Sequence, residues 1–127
     1  MSIKLNHIIV HSQDKNASAK FLAEILGLDA PTSLGIFLTV RLDNDVTLDF
    51  AETDGEIAAG HYAFLVSEKE FDEIFGRIRK RGLRFWADPF HRRAGEINNN
   101  DGGRGFYFDD PDEHSLEILT KPYGSGT

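Results

Sequence analysis

The sequence predicts an α+β fold in which one unit of strand, helix and hairpin is run twice along the chain. Three matched features carry that expectation. His7 and His61, 54 residues apart, each open an apolar run. An acid follows each histidine by seven residues (Asp14 and Glu68), and a helix-like stretch then ends at a glycine, Gly27 or Gly82. Each half closes on a strand with one carboxylate in its middle, Leu48-Asp49-Phe50 and Leu116-Glu117-Ile118. Features that recur in the same order are the mark of an internal repeat.

Taken in order, residues 4–11 read as a strand because β-branched Ile8, Ile9 and Val10 dominate them. Asp14 or Asn16 caps a helix that runs to about Leu26, with Gly27 as the left-handed residue past its end. Phe21, Leu22, Ile25 and Leu26 recur at helical spacing and form its apolar face. Pro31 and Gly35 punctuate a loop or short strand. Ile36–Leu42 and Val46–Ala51 then read as a hairpin turning at Asp43-Asn44.

The second half follows the same plan. His61–Val66 is a strand, and Ser67 with Glu70 makes a capping box. Phe71, Ile74, Phe75 and Ile78 stand at i, i+3, i+4 and i+7 of the next helix, which Gly82 ends. Leu83–Ala87, Gly105–Asp109 and Ser115–Thr120 read as three further strands. Between Pro89 and Arg104 the chain is polar, glycine-rich and without periodicity. A loop that long inside a domain is more often functional or mobile than incidental. The repeat divides one domain, residues 1–127, into a first module of about 1–55 and a second of about 56–127.

A chain of 127 residues is long enough to bury a sizeable core. It has no cysteine, which excludes disulfides, thiolate metal sites and cysteine nucleophiles together. A net charge of −7 disfavours nucleic acid and anionic membrane as partners, since phosphate binding needs a basic face. No stretch has the length and apolarity to span a bilayer, and the N-terminus lacks a signal-peptide core. The expectation is a soluble, cytoplasmic protein acting on a small molecule.

Strand alternation then sorts the polar residues. His7, Ile9 and His11 share the face opposite Ile8 and Val10, and His61, Ala63 and Leu65 oppose Tyr62, Phe64 and Val66. Asp49 and Glu117 likewise oppose their bulky neighbours. With the bulky faces under the helices, His7, Asp49, His61 and Glu117 all lie on the sheet face away from them. Singly, an acid alternating with apolar residues marks a solvated sheet face. Jointly, at matched places in a repeated unit, the four point to a metal site. Two imidazoles and one carboxylate suit non-haem Fe, while a second carboxylate suits Mn, Ni, Co or a Zn of raised coordination number.

At this point the chain resembles the vicinal oxygen chelate superfamily, which includes glyoxalase I, extradiol dioxygenases, fosfomycin-resistance enzymes and bleomycin-resistance proteins. The resemblance is carried by His7 in Leu5-Asn6-His7-Ile8-Ile9-Val10, by Phe21-Leu22-Ala23-Glu24-Ile25-Leu26-Gly27 and by His61 in Gly60-His61-Tyr62-Ala63-Phe64. The run Gly105 to Ile118, with its Asp110-Pro111 turn and Glu117, is the most specific part.

The resemblance implies two tandem βαβββ modules whose sheets curl around a central cavity (the glyoxalase/bleomycin resistance/dioxygenase fold). It also implies a divalent metal ion (Fe, Mn, Ni, Co or Zn) held by His7, His61 and Glu117. Asp49 stands where glyoxalase I carries a further Glu, and is the weaker ligand. Tyr107 matches a tyrosine beside the metal and is the candidate catalytic residue. Trp86 and Arg92 are the candidate substrate contacts. Two departures stand out: Glu113 replaces the glycine of the turn, and Asn98, Asn99 and Asn100 stand where the extradiol pattern has another His. The activity implied is metal-dependent chemistry of the glyoxalase or dioxygenase type on a small substrate with vicinal oxygens, in a homodimer. The alternative is a metal-free protein of the same fold that sequesters a bleomycin-like antibiotic.

Overall fold

The computed structural model describes residues 3–126, and these fall into two units that divide after Ala58. In the first, β1 (His7–Ser12) leads into α1 (Lys15–Leu26), and β2 (Thr32–Leu34), β3 (Phe37–Arg41) and β4 (Thr47–Glu52) follow. The sheet order is β1-β4-β3-β2, with β1 parallel to β4 and the other pairs antiparallel. The Asp14 side chain accepts from the Ala17 N–H to start α1, and Gly27 stops it at φ 71°. Residues Leu42 to Asp45 form the hairpin turn, centred on Asp43-Asn44, and Asp45 takes a left-handed φ of 64°.

The apolar face of α1 is displaced from the one its periodicity suggests. Its buried residues are Ser18, Ala19, Leu22, Ala23 and Ile25, while Phe21 and Leu26 are only half-buried. Small residues let the helix backbone approach the sheet, and a bond of 2.7 Å between the hydroxyls of Ser12 and Ser18 fills the remaining polar contact. Val10, Val40, Leu48 and Phe50 complete this core.

In the second unit β5 (His61–Leu65), α2 (Glu68–Lys80), β6 (Gly105–Asp109) and β7 (Ser115–Leu119) form a sheet of order β5-β7-β6 with one helix. Strand β5 is parallel to β7, and β6 is antiparallel to it. Both halves of the Ser67–Glu70 capping box are made. Phe71, Phe75, Phe85 and Phe106 pack edge to face or tilted at 5.1–6.0 Å between ring centres, joining α2 to β6. Truncating the fully buried Phe106 to alanine is expected to cost about 3–5 kcal/mol.

Leu83–Ala87 does not form the strand its sequence suggests. Only Trp86 bridges to Tyr107, through bonds of 2.9 and 2.8 Å, while Ala87 and Phe85 pair with the returning loop at Arg93 and Gly95. Pairing with that loop consumes the strand's hydrogen-bonding groups locally, so the ladder shrinks to one bridge. The loop is organised rather than featureless. Asp88 accepts from the backbone N–H groups of Phe90, Arg92 and Arg93, and a 3-10 turn occupies Asn100–Gly102. The turn before β7 also resolves one expectation: Glu113 takes a left-handed φ of 64° where a glycine would be unstrained.

Candidate functional site

In the second unit, Ala63, Glu117 and Tyr107 form one row across β5, β7 and β6. His61 pairs with Ser115, two residues along, and so shares their face. From there its Nε2 lies 3.0 Å from Oε1 of Glu117. The Tyr107 ring stacks on the His61 ring at 5.9 Å between centres and 25° between planes. Glu117 is 1% exposed, and burying a carboxylate is costly unless it is paired and hydrogen-bonded. Here both oxygens are engaged: Oε1 with His61, and Oε2 with the hydroxyl of Tyr123.

Tyr123 lies in the C-terminal tail, and the sequence reading leaves it out. Its hydroxyl is 2.6 Å from that of Tyr107. Burial, the bond to Glu117 and the bond to Tyr107 push the Tyr123 hydroxyl well up, and burial also raises Tyr107. Both phenols are therefore protonated at neutral pH. Since the single Tyr123 proton goes to the Glu117 carboxylate, Tyr107 must donate to the Tyr123 oxygen. A chain of donors thus ends on one buried carboxylate.

The donor set suits a divalent cation. Two ligands each about 2.1 Å from a metal lie about 3.0 Å apart when they are at right angles, and about 3.4 Å apart at a tetrahedral angle. The His61–Glu117 separation of 3.0 Å is that of a hydrogen bond, and it leaves both atoms close enough to reach one cation. Among the described residues, no three His, Cys, Asp or Glu side chains gather as a complete set.

The first unit repeats the arrangement with weaker chemistry. His7 pairs with Thr47 as His61 pairs with Ser115, and Asp49 stands two residues on, as Glu117 does. Asp49 is 6% exposed and accepts from the Thr39 hydroxyl at 3.0 Å; Thr39 takes the place that Tyr107 has beside Glu117. Beside Asp49 on β1 stands Ile9, so His7 and Asp49 are one row apart. His7 is exposed and its Nδ1 meets the Asn6 side-chain oxygen at 2.8 Å.

The remaining sequence candidates fall elsewhere. Trp86 is buried, with His91 stacked on it at 3.7 Å and the Arg84 guanidinium 5.2 Å from its ring. The Arg92 guanidinium lies over the exposed Phe90 ring. Arg104 bonds Glu68 and Asp72 and covers Phe71, which makes it part of the helix packing. Asn98 is a buried clip, donating to the Ala87 carbonyl and accepting from Asn100 N–H. His114 is 2% exposed and its Nδ1 accepts from Gly60 N–H, a structural role.

The glyoxalase/bleomycin resistance protein/dioxygenase superfamily matches residues 4–118. The glutathione transferase FosA of Serratia marcescens is 32% identical over 121 residues, spanning 90% of this chain and 78% of that protein. Among solved structures, Oxidase ChaP-H1 is 65% identical, with a TM-score of 0.95 over 97% of this chain and 99% of that one. Oxidase ChaP-H2 is 61% identical, with a TM-score of 0.97 over the whole of both chains. The fosfomycin resistance protein FosX of Listeria monocytogenes shares the fold at 22% identity and a TM-score of 0.74, over the whole of both chains.

Proposed function

Since this chain belongs to the glyoxalase/bleomycin resistance protein/dioxygenase superfamily, we propose that it is a metal-dependent oxidase of small molecules with two adjacent oxygens. In this reading His7, His61 and Glu117 hold one divalent ion. The observation that carries it is the His61–Glu117 pair: an almost fully buried carboxylate whose Oε1 lies 3.0 Å from an imidazole nitrogen. The oxidase class is favoured by relatives at 65% and 61% identity over a transferase at 32%.

The bound ion would supply Lewis-acid polarisation of the substrate oxygens. The chain's own residues do the rest. Glu117 and His61 present one oxygen and one nitrogen on a rigid sheet face. His7 offers Nε2, since Asn6 engages its Nδ1 and sets the ring's orientation. Asp49 is the weaker fourth donor, with one oxygen already taken by Thr39. Tyr107 stacks on His61 beside the donor pair and, with its one proton committed to Tyr123, orients the substrate by accepting from a substrate O–H. Trp86 and Arg92 enter as substrate-side walls; His91 covers the first, so contact with it requires His91 to move. The working form is a homodimer.

Metal analysis tests this directly. Protein purified without chelator is expected to carry one divalent ion per chain, which His61→Ala loses. Full ion content in His61→Ala removes the assigned site. Oxygen uptake with catechols supports the oxidase class, whereas turnover of methylglyoxal with glutathione and no uptake replaces it with glyoxalase-type chemistry. If neither metal nor turnover is found, quenching of Trp86 by bleomycin-like compounds moves the chain to the binding reading.

A further inference from the structure

Beyond β7 the chain does not trail away. Thr120 N–H bonds the Arg104 carbonyl at 3.0 Å, and after Pro122 the Tyr123 side chain reaches back to Glu117. The tail is then clamped. One carboxylate oxygen of Asp101, in the 3-10 turn, accepts from the backbone N–H groups of Gly124 and Gly126 at 3.1 and 3.2 Å. Ser125 closes a local turn by donating its N–H and hydroxyl to the Pro122 carbonyl.

The glycines fit the clamp. Gly124 sits at φ 81°, and a Cβ on Gly126 would lie 2.0 Å from the Asp101 carbonyl oxygen. A Cβ on Gly103 would lie 2.5 Å from the Thr120 hydroxyl. Such contacts leave room for backbone and nothing more. Tyr123 itself is 58% exposed, so burial of its ring is not what the docking achieves. What the docking delivers is a hydroxyl placed on a buried carboxylate.

We propose that Tyr123 is a positioning residue, and that the clamp on Asp101 holds its hydroxyl on Oε2 of Glu117 so that Oε1 alone faces His61 and the ion. The inference rests on the reading that Glu117 and His61 are ligands. A glutamate carboxylate rotates broadly about its last torsion, and a donor on one oxygen removes that freedom. It also fixes binding through one oxygen instead of two. Partners that orient a ligand in this way are typically worth about 10–100-fold in metal affinity. Tyr107 takes part by donating to Tyr123, which commits the Tyr123 proton to Glu117.

The test is a Co²⁺ titration of chelator-treated protein, followed by visible absorption and by calorimetry, in wild type, Tyr123→Phe, Asp101→Ala and His61→Ala. Wild type is expected to bind one Co²⁺ and His61→Ala none. Tyr123→Phe should bind about tenfold more weakly or worse, with a weaker Co²⁺ band as the freed carboxylate swings to two-oxygen binding and coordination number rises. Circular dichroism of the metal-free variant at the titration temperature should show it fully folded like wild type, so that weaker binding reports positioning and not unfolding. Asp101→Ala should move affinity the same way and lose its last residues faster to carboxypeptidase. Unchanged Co²⁺ affinity and spectrum in Tyr123→Phe, with His61→Ala still unable to bind, overturns the inference alone. Tighter binding in Tyr123→Phe overturns it too, since Tyr123 would then compete with the ion. If wild type binds no Co²⁺, or His61→Ala binds it fully, the metal reading falls and the inference with it.

Discussion

Replacing Glu113 by glycine should stabilise the protein, because the turn before β7 forces a left-handed backbone on a residue with a side chain. The turn is held from Asp110, whose carboxylate oxygen accepts from the N–H groups of Asp112 and His114 at 2.9 Å each. Its carbonyl accepts from Glu113 N–H at 3.0 Å. These bonds leave Glu113 at φ 64° with its side chain exposed. A left-handed conformation costs a residue with a Cβ about 1–2 kcal/mol. Glycine avoids that cost but brings about 0.5–1 kcal/mol of extra unfolded-state entropy. The balance is a gain of about 0.5–1 kcal/mol, or roughly 2–5 °C in melting temperature for a chain of this size. Scanning calorimetry of metal-free wild type, Glu113→Gly and Glu113→Ala reads it. Alanine keeps the Cβ and should gain nothing. If Glu113→Gly melts at or below wild type, or Glu113→Ala gains as much, backbone strain is not the cause.

Further outcomes follow from other contacts. The backbone bond from Ser67 lowers the Glu70 carboxyl, so its folded value lies below its unfolded one; the stabilisation is present above the ordinary carboxylate range and lost as pH falls through the lowered value. Glu70→Gln keeps the geometry of the capping box without its charge, so it should melt slightly below wild type at pH 7 and converge with it as pH falls below ~4.5; an offset that is the same at every pH refutes this. Thr39→Val takes away the donor to buried Asp49 and should cost about 1–3 kcal/mol in urea unfolding; an unchanged midpoint counts against the bond. His7→Ala should lose the ion as His61→Ala does, and retention removes His7 from the ligand set. Mixing the two variants after unfolding and refolding together then locates the third ligand. Recovery of about a quarter of wild-type turnover assigns it to a second copy, and no recovery assigns it to the same chain.

Much of this molecule was legible because its causes are local. Alternation along β5 and β7 put His61 and Glu117 on one face, since side chains point to opposite sides at every residue whatever the tertiary fold. Asp14, Ser67 and Gly27 announced helix ends, because a cap acts on backbone groups within a few residues of itself. The recurrence of His7 with Thr47 and His61 with Ser115 carried the repeat into the register of the sheets. Other features depended on segments far apart in the chain. Leu83–Ala87 has a strand's composition, yet the loop returning through Arg93 and Gly95 took up its backbone partners. The tail Lys121 to Gly126 has no periodicity from which a contact could be read. Its order comes from one Asp101 carboxylate and from clearances that only glycine leaves. Sequence alone therefore determined which side chains face together and where the helices begin and end. Tertiary structure decided that a terminal tyrosine closes on Glu117, because that bond exists only once the tail has docked on Asp101.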